Sequence, residues 1–167
     1  MKYKIICYFN SVYKNENSDI GNYSKSILKV FPDAKIFSGP DELTLLLDYV
    51  KKVLFPIIIT QDYLASYIPK WIPIIAINYN FDMENNNLIY LYGRKKLFEE
   101  RSHKNSWFLI SDDSVFESLS KNFKSVNEYK IITIQNNNDD FNLEMKSLVK
   151  SFYIAFYYSG LVSSIEI

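Results

Sequence analysis

Short runs of mainly apolar residues constrain the fold of this chain more than any other feature. They read YKIICYF, FPIIIT, IPIIAINY and SWFLIS, and lie at Tyr3–Phe9, Phe55–Thr60, Ile72–Tyr79 and Ser106–Ser111. Runs this short that end in polar residues are typical of strands buried on both faces. Strands of that kind belong to parallel sheets with helices on both sides.

Segments with helical spacing separate these predicted strands. Apolar residues recur at helical intervals from Ile20 to Phe31, and Pro32 ends that helix. After a further strand at Ala34–Gly39, Pro40 and the acids behind it predict the start of a helix that runs to Leu54. The alternation predicts an α/β fold, with a wound, mostly parallel sheet and flanking helices.

The polar segment Asn80–Asn87 interrupts this pattern, which then restarts. The predicted elements that follow are strand Leu88–Tyr92, helix Lys95–Arg101, strand Ser106–Ser111, helix Val115–Phe123, strand Tyr129–Gln135 and a helix from Asp139 or Asp140 to about Ser159. Two organisations fit. Either residues 1–79 form a first lobe completed by residues 140–167, with residues 80–139 as a smaller second lobe, or the chain is one continuous domain.

The composition argues against some classes of partner and against an internal disulfide. The 19 Lys+Arg residues balance 19 Asp+Glu residues, and the richest basic stretch, Arg94–Lys104, contains Glu99 and Glu100. Because nucleic-acid binding relies on a basic surface, we expect no nucleic-acid partner. The single cysteine, Cys7, excludes an internal disulfide and is expected to be an inert buried thiol.

No segment has the features of membrane insertion. The first apolar run is shorter than the roughly 7–15 residues of a signal-peptide core. The C-terminal run FYIAFYYSGLV is shorter than the roughly 20 residues that span a bilayer. We therefore expect a cytoplasmic protein with no membrane partner.

The polar residues that end the predicted strands form the candidate site. In wound sheets, ligands bind beyond the carboxyl ends of the strands, where helix N-termini provide free N–H groups. The predicted ligand-binding residues are Asn10, Ser11, Ser38, Gly39, Thr60, Gln61, Asp62, Asn78, Ser111, Asp112 and Ser114. The alternative role for each is helix capping: Thr60 or Asp62 before one helix, and Asp113, or Ser114 with Glu117, before another.

Motifs for catalysis and cofactors are absent from the sequence. It contains no phosphate-binding glycine loop, no G-x-G-x-x-G and no G-x-S-x-G. The single histidine, His103, lies in a polar turn far from the single cysteine, which argues against zinc. Asp62, Asp112 and Asp113 could attract a divalent cation, but no spacing supports one. We therefore predict no catalytic residue, no metal and no cofactor.

The segment DELTLLLDYVKKVLFPIIITQDYLASYI, followed by IPIIAINYN, resembles the type 2 solute-binding fold, in which two α/β lobes clasp a ligand. It is also similar to uncharacterised archaeal proteins related to solute-binding lipoproteins. The resemblance implies ligand contacts at Asn10, Ser11, Ser38, Thr60 and Ser111–Ser114. The chain is short for that fold and lacks a signal peptide and a lipid-attachment cysteine, so a cytoplasmic relative is implied.

Three functions remain open. The first is a small-molecule binding protein without catalysis. The second is an interaction protein whose aromatic C-terminal helix forms a homodimer through Phe152, Phe156 and Tyr157. The third is an enzyme in which Asp62 or Asp112 acts as an acid or base.

Overall fold

A computed structural model describes residues 3–10, 19–78, 105–122, 129–135 and 137–158. In these residues, six parallel strands form one sheet in the order β2–β1–β3–β4–β5–β6. The strands are β1 (Lys4–Phe9), β2 (Lys35–Ser38), β3 (Pro56–Gln61), β4 (Ile74–Asn78), β5 (Ser106–Ile110) and β6 (Lys130–Thr133). The helices are α1 (Asp19–Val30), α2 (Leu43–Lys52), α3 (Asp113–Asn122) and α4 (Phe141–Tyr153).

The sheet confirms the predicted α/β class and brings both halves of the chain together. β4 and β5 pair in parallel from Ile74 opposite Ser106 to Asn78 opposite Ile110. Strands from either side of the predicted lobe boundary at residue 79 thus share one continuous sheet. The predicted strand at 88–92 and helix at 95–101 lie outside the described residues.

Alternate residues of each strand enter two separate cores. Ile5, Cys7 and Phe9 of β1 pack on the face that α1 and α4 cover. Ile6 and Tyr8 point to the face that α2 and α3 cover. Because both faces are covered, the strands need apolar residues at every position, which explains the short apolar runs. Cys7 is fully buried as predicted, and burial raises the pKa of its thiol to about 12.

The predicted start of the second helix at Pro40 is wrong. Pro40–Glu42 forms a separate 3₁₀ turn, and α2 begins only at Leu43. The preceding Gly39 has a φ of 74°, and no side chain caps the turn. The final helix was predicted to run to about Ser159; it is α-helical to Tyr153 and continues as a π-helix over Ile154–Tyr158.

The aromatic end of the chain packs inside this molecule. Phe152 is fully buried and its ring meets Trp107 edge-on, with centroids 5.3 Å apart. Tyr157 is half-buried, and its hydroxyl donates to the Pro56 carbonyl at 2.6 Å. Of the residues predicted to form a homodimer, Phe152 is therefore occupied within its own core, whereas Phe156 and Tyr157 are half-buried. In the described part of the chain, no helix combines the length and apolar character needed to cross a membrane.

Candidate functional site

The strand order defines a crevice at the carboxyl edge of the sheet. β1 has β2 on one side and β3 on the other, so the chain reverses its direction of winding between them. Ligands of wound sheets bind at such a reversal. Asn10 follows β1, Gln61 ends β3, and Asn78 ends the neighbouring β4.

Hydrogen bonds join the ends of β1 and β3 in a closed triangle. Gln61 Oε1 accepts from the Asn10 backbone N–H at 2.8 Å and from the Tyr63 hydroxyl at 3.0 Å. The Tyr63 hydroxyl in turn accepts from Asn10 Nδ2 at 3.0 Å. Gln61 is almost fully buried, whereas Asn10 and Tyr63 retain partial exposure. The triangle therefore ties the end of β1 to the end of β3 and leaves two of its three side chains partly exposed at this edge.

Asp62 joins the ends of β3 and β4. Asp62 is only 2% exposed. Oδ1 accepts from the Tyr63 backbone N–H at 2.8 Å, and Oδ2 accepts from Asn78 Nδ2. A buried carboxylate must be compensated by donors, and these two contacts supply part of that compensation. We call Asn10, Gln61, Asp62, Tyr63 and Asn78 the switch-point cluster.

The Asn78 side chain is only partly satisfied. Asn78 is fully buried, and its Oδ1 has no hydrogen-bond partner among the residues that the structure describes. The Asn78 Nδ2 group donates to Asp62 Oδ2, so Oδ1 is the atom of this amide that points away from the carboxylate. Oδ1 is therefore a buried acceptor without a donor among the described residues, an arrangement that is rare in native proteins and that demands an explanation.

Three of the predicted ligand residues make hydrogen bonds within the protein. The Thr60 hydroxyl is fully buried and donates to the Tyr8 carbonyl at 2.8 Å. The Gly39 carbonyl accepts from the Tyr8 hydroxyl at 2.9 Å, and Gly39 needs its freedom to adopt a positive φ. The half-buried Ser38 donates its backbone N–H to the Glu42 carboxylate at 3.3 Å.

The polar residues after β5 form the N-terminus of α3. Asp112 Oδ1 accepts from the backbone N–H groups of Ser114 at 2.9 Å and Val115 at 3.3 Å. It also accepts from the Ser114 hydroxyl, and these hydrogen bonds lower the pKa of the Asp112 carboxyl. The cap is therefore Asp112, and the predicted caps at Asp113 or at Ser114 with Glu117 are wrong. Direct contact of Oδ1 with the free N–H groups decides this.

Asp112 and Asp62 do not share one site. Their strands are separated by β4, so the strand ends lie about 10 Å apart at the usual strand spacing. Ser111, which is 7% exposed, stays beside Asp112 at the end of β5. Among the residues that the structure describes, no group of three or more His, Cys, Asp or Glu side chains could hold a metal ion.

Sequence reasoning missed Tyr63 and Tyr8, and Ser11 lies outside the described residues. Tyr63 contributes both a hydroxyl and a backbone N–H to the cluster. Its position directly after Asp62, at a predicted strand end, was the available signal. No such signal was available for Tyr8, because it lies inside a predicted strand and its hydroxyl bonds to Gly39, 31 positions away in sequence.

Comparisons with known proteins give no relative from which a role could be transferred. Neither the protein-family models nor the curated proteins match the sequence, and no solved structure matches the fold. Function must therefore be argued from the geometry of this chain.

Proposed function

We propose that this protein binds a small polar molecule, without transforming it, in the crevice above the switch-point cluster. The observation that carries the proposal is the buried Asn78 Oδ1, to which no described residue donates a hydrogen bond. It lies on the side chain that holds the buried Asp62 carboxylate, at the edge where wound sheets bind ligands. A ligand N–H or O–H that reached Oδ1 would remove the desolvation penalty of an unsatisfied acceptor, about 1–3 kcal/mol.

The composition of the cluster favours a neutral or cationic ligand. Its one carboxylic acid, Asp62, is buried, and none of its five members is basic. An anion placed here would face the Asp62 carboxylate in a poorly solvated position, where repulsion is weakly screened. Asn10 and Tyr63, which are partly exposed, are positioned to exchange hydrogen bonds with a polar group at the mouth. Ammonium compounds, amides and sugars have the required donors.

The test is a thermal-shift screen of the purified protein against amino acids, amines, nucleosides, sugars, carboxylic acids and oxyanions. A ligand at about 100 times its Kd stabilises the fold by about 2.7 kcal/mol, which corresponds to roughly 5–10 °C for a domain of this size. We expect a hit among the donor-bearing neutral or cationic compounds. Each hit is then repeated with Asn78→Ala and with Asn22→Ala, an exposed position on α1 that serves as the control.

The two variants show whether a ligand that stabilises the protein binds at the switch-point cluster. Loss of the shift in Asn78→Ala, with retention in Asn22→Ala, supports the proposal. A hit that survives in Asn78→Ala places the ligand elsewhere and rejects this site. A flat response over the whole panel rejects the small-molecule function itself.

A second candidate, self-association through the C-terminal helix, is favoured by one feature. The π-helix exposes Ile154 and Tyr158 to 43% and 47%, beside the half-buried Phe156 and Tyr157. Apolar side chains exposed together are found at protein contacts. Sedimentation equilibrium of the wild type and of Ile154→Lys tests it: a dimer that dissociates in the variant supports this candidate, and a monomeric wild type rejects it.

A further inference from the structure

A second candidate site lies at the opposite edge of the sheet. A cavity of about 530 Å³ opens where β1 begins and where α1 turns into β2. Its lining includes Tyr3, Phe31, Asp33, Lys4, Lys146 and Lys150. We call it the amino-edge cavity. Its volume falls within the range of about 300–1,000 Å³ that small-molecule sites occupy.

The charges that the described residues place around this cavity are mainly positive. Lys146 and Lys150 lie one turn apart on α4, both exposed, and Lys4 is half-buried at the start of β1. None of the three has an ion-pair partner among the described residues. Among the described residues of the lining, Asp33 supplies the single negative charge. Three ammonium groups around one opening attract an anion.

The wall below these ammonium groups is apolar. Ile5 and Val30 are each 8% exposed, and Phe31 and Tyr3 are half-buried beside them. A compact inorganic anion would leave this wall in contact with water, whereas a hydrocarbon body would cover it. The C-terminal end of α1 also lies at this edge, and its dipole disfavours an anion. The lysines must therefore supply the attraction, which makes their substitution a decisive test.

We propose that the amino-edge cavity binds an organic monoanion with a hydrocarbon body, such as a medium-chain carboxylate. Lys146 and Lys150 hold the carboxylate at the rim, and the chain lies against Val30 and Phe31. The cavity is separated from the switch-point cluster by the length of the strands, because the two lie at opposite ends of β1. The proposal is therefore independent of the proposed function.

Titration calorimetry with octanoate tests the charge requirement. We expect one octanoate per chain, and affinity that falls about fivefold or more in the double variant Lys146→Gln/Lys150→Gln, since each exposed charge pair contributes modestly. The matched control is Lys51→Gln/Lys52→Gln, which removes two exposed charges from α2 on the other face of the sheet. Octanol and octylammonium serve as neutral and cationic probes of the same length, and we expect both to bind more weakly than octanoate.

The position of bound octanoate is tested by NMR of the wild-type protein. We expect intermolecular NOEs from octanoate methylene protons to Val30 and Phe31, and unchanged octanoate affinity in Asn78→Ala. A Kd for octanoate weaker than about 10 mM, equal affinity for octanol, or equal affinity in both lysine double variants overturns the proposal. NOEs confined to residues outside the cavity also overturn it, even if octanoate binds.

Discussion

The two edges of the sheet are formed by the same strands but are stabilised by different kinds of contact. At the carboxyl edge, buried polar groups hydrogen-bond to one another, as Asp62 does with Asn78. At the amino edge, aromatic rings cluster: Tyr3 lies 4.9 Å from Tyr153, and Phe55 lies 5.4 Å from Tyr157. The first arrangement depends on direction and on matched donors, and the second depends on filled volume. Removal of one hydrogen-bond partner should therefore lower the stability of the fold at the carboxyl edge, and removal of one ring should lower it at the amino edge.

The largest expected effect lies in the aromatic packing. Phe152→Ala should lower the free energy of unfolding by about 3–5 kcal/mol, because it leaves a cavity between Trp107 and Phe156. Urea denaturation followed by circular dichroism measures this change. The control is Leu143→Ala, which is on the same helix but 69% exposed and should change stability little. Equal effects of the two substitutions would contradict the packing of α4 described above.

The carboxyl edge should be nearly as sensitive to one missing acceptor. Asp62→Ala leaves the Asn78 amide and the Tyr63 N–H without the acceptor they share, and should lower the free energy of unfolding by about 2–3 kcal/mol. The matched control is Asp48→Ala at an exposed position of α2. A loss no larger than that of the control would show that this network does not stabilise the fold.

Two substitutions of Asp112, the cap of α3, distinguish the effect of its charge from the effect of its hydrogen-bonding oxygen. Asp112→Ala should cost about 1 kcal/mol at neutral pH, because two backbone N–H groups lose their acceptor. Asp112→Asn keeps a capping oxygen and removes only the charge. The pKa of Asp112 is lowered in the folded state, so its charge stabilises the fold above the unfolded value of about 3.9.

That contribution should disappear as the pH falls through the lowered pKa of the folded state. Urea denaturation between acidic and neutral pH should show wild type and Asp112→Asn converging at the acidic end. A difference that is constant over the whole pH range would contradict the capping role of the carboxylate.

The smallest expected effect concerns Tyr157 at the amino edge. Tyr157→Phe removes the hydrogen bond to the Pro56 carbonyl and should cost about 0.5 kcal/mol at neutral pH, since the side chain is only half-buried. Burial raises the pKa of Tyr157 to about 12, above its ordinary value of 10.0. The folded state therefore holds the proton more tightly, and stability falls as the pH rises from about 10 to about 12.

Alkaline denaturation of the wild type and of Tyr157→Phe measures this contribution. The variant should lose less stability than the wild type over that interval. Parallel curves for the two proteins would contradict the burial of this hydroxyl.

How far the sequence could predict the site depends on the distance of each contact along the chain. Asn10, Gln61, Asp62 and Asn78 were predicted because each follows or ends a short apolar run, and parallel strands bring such ends to one edge. Their partners could not be predicted. Thr60 looked equivalent to Gln61, yet its hydroxyl turns inward to the Tyr8 carbonyl, since alternate residues of a strand face opposite sides.

The same limit applies to the helix starts. Asp112, Asp113 and Ser114 are adjacent and chemically suited to the same cap, so local sequence could not select among them. The backbone path after β5 selected Asp112 by directing its Oδ1 at two free N–H groups. The amino-edge cavity could not be predicted either. Lys4 and Lys146 lie far apart in sequence and line the same cavity only when α4 packs beside β1.

By itself, the sequence determined the α/β class, most of the described strands and helices, and the edge at which polar residues gather. These follow from local periodicity and from short apolar runs, which act over a few neighbouring residues. Only the tertiary structure decided that one sheet continues from β4 to β5, that Phe152 is packed within the chain, and that Asn78 holds Asp62. The reason is physical: strand pairing and buried polar contacts join residues distant in sequence, and their partners are chosen by the packing of the whole domain.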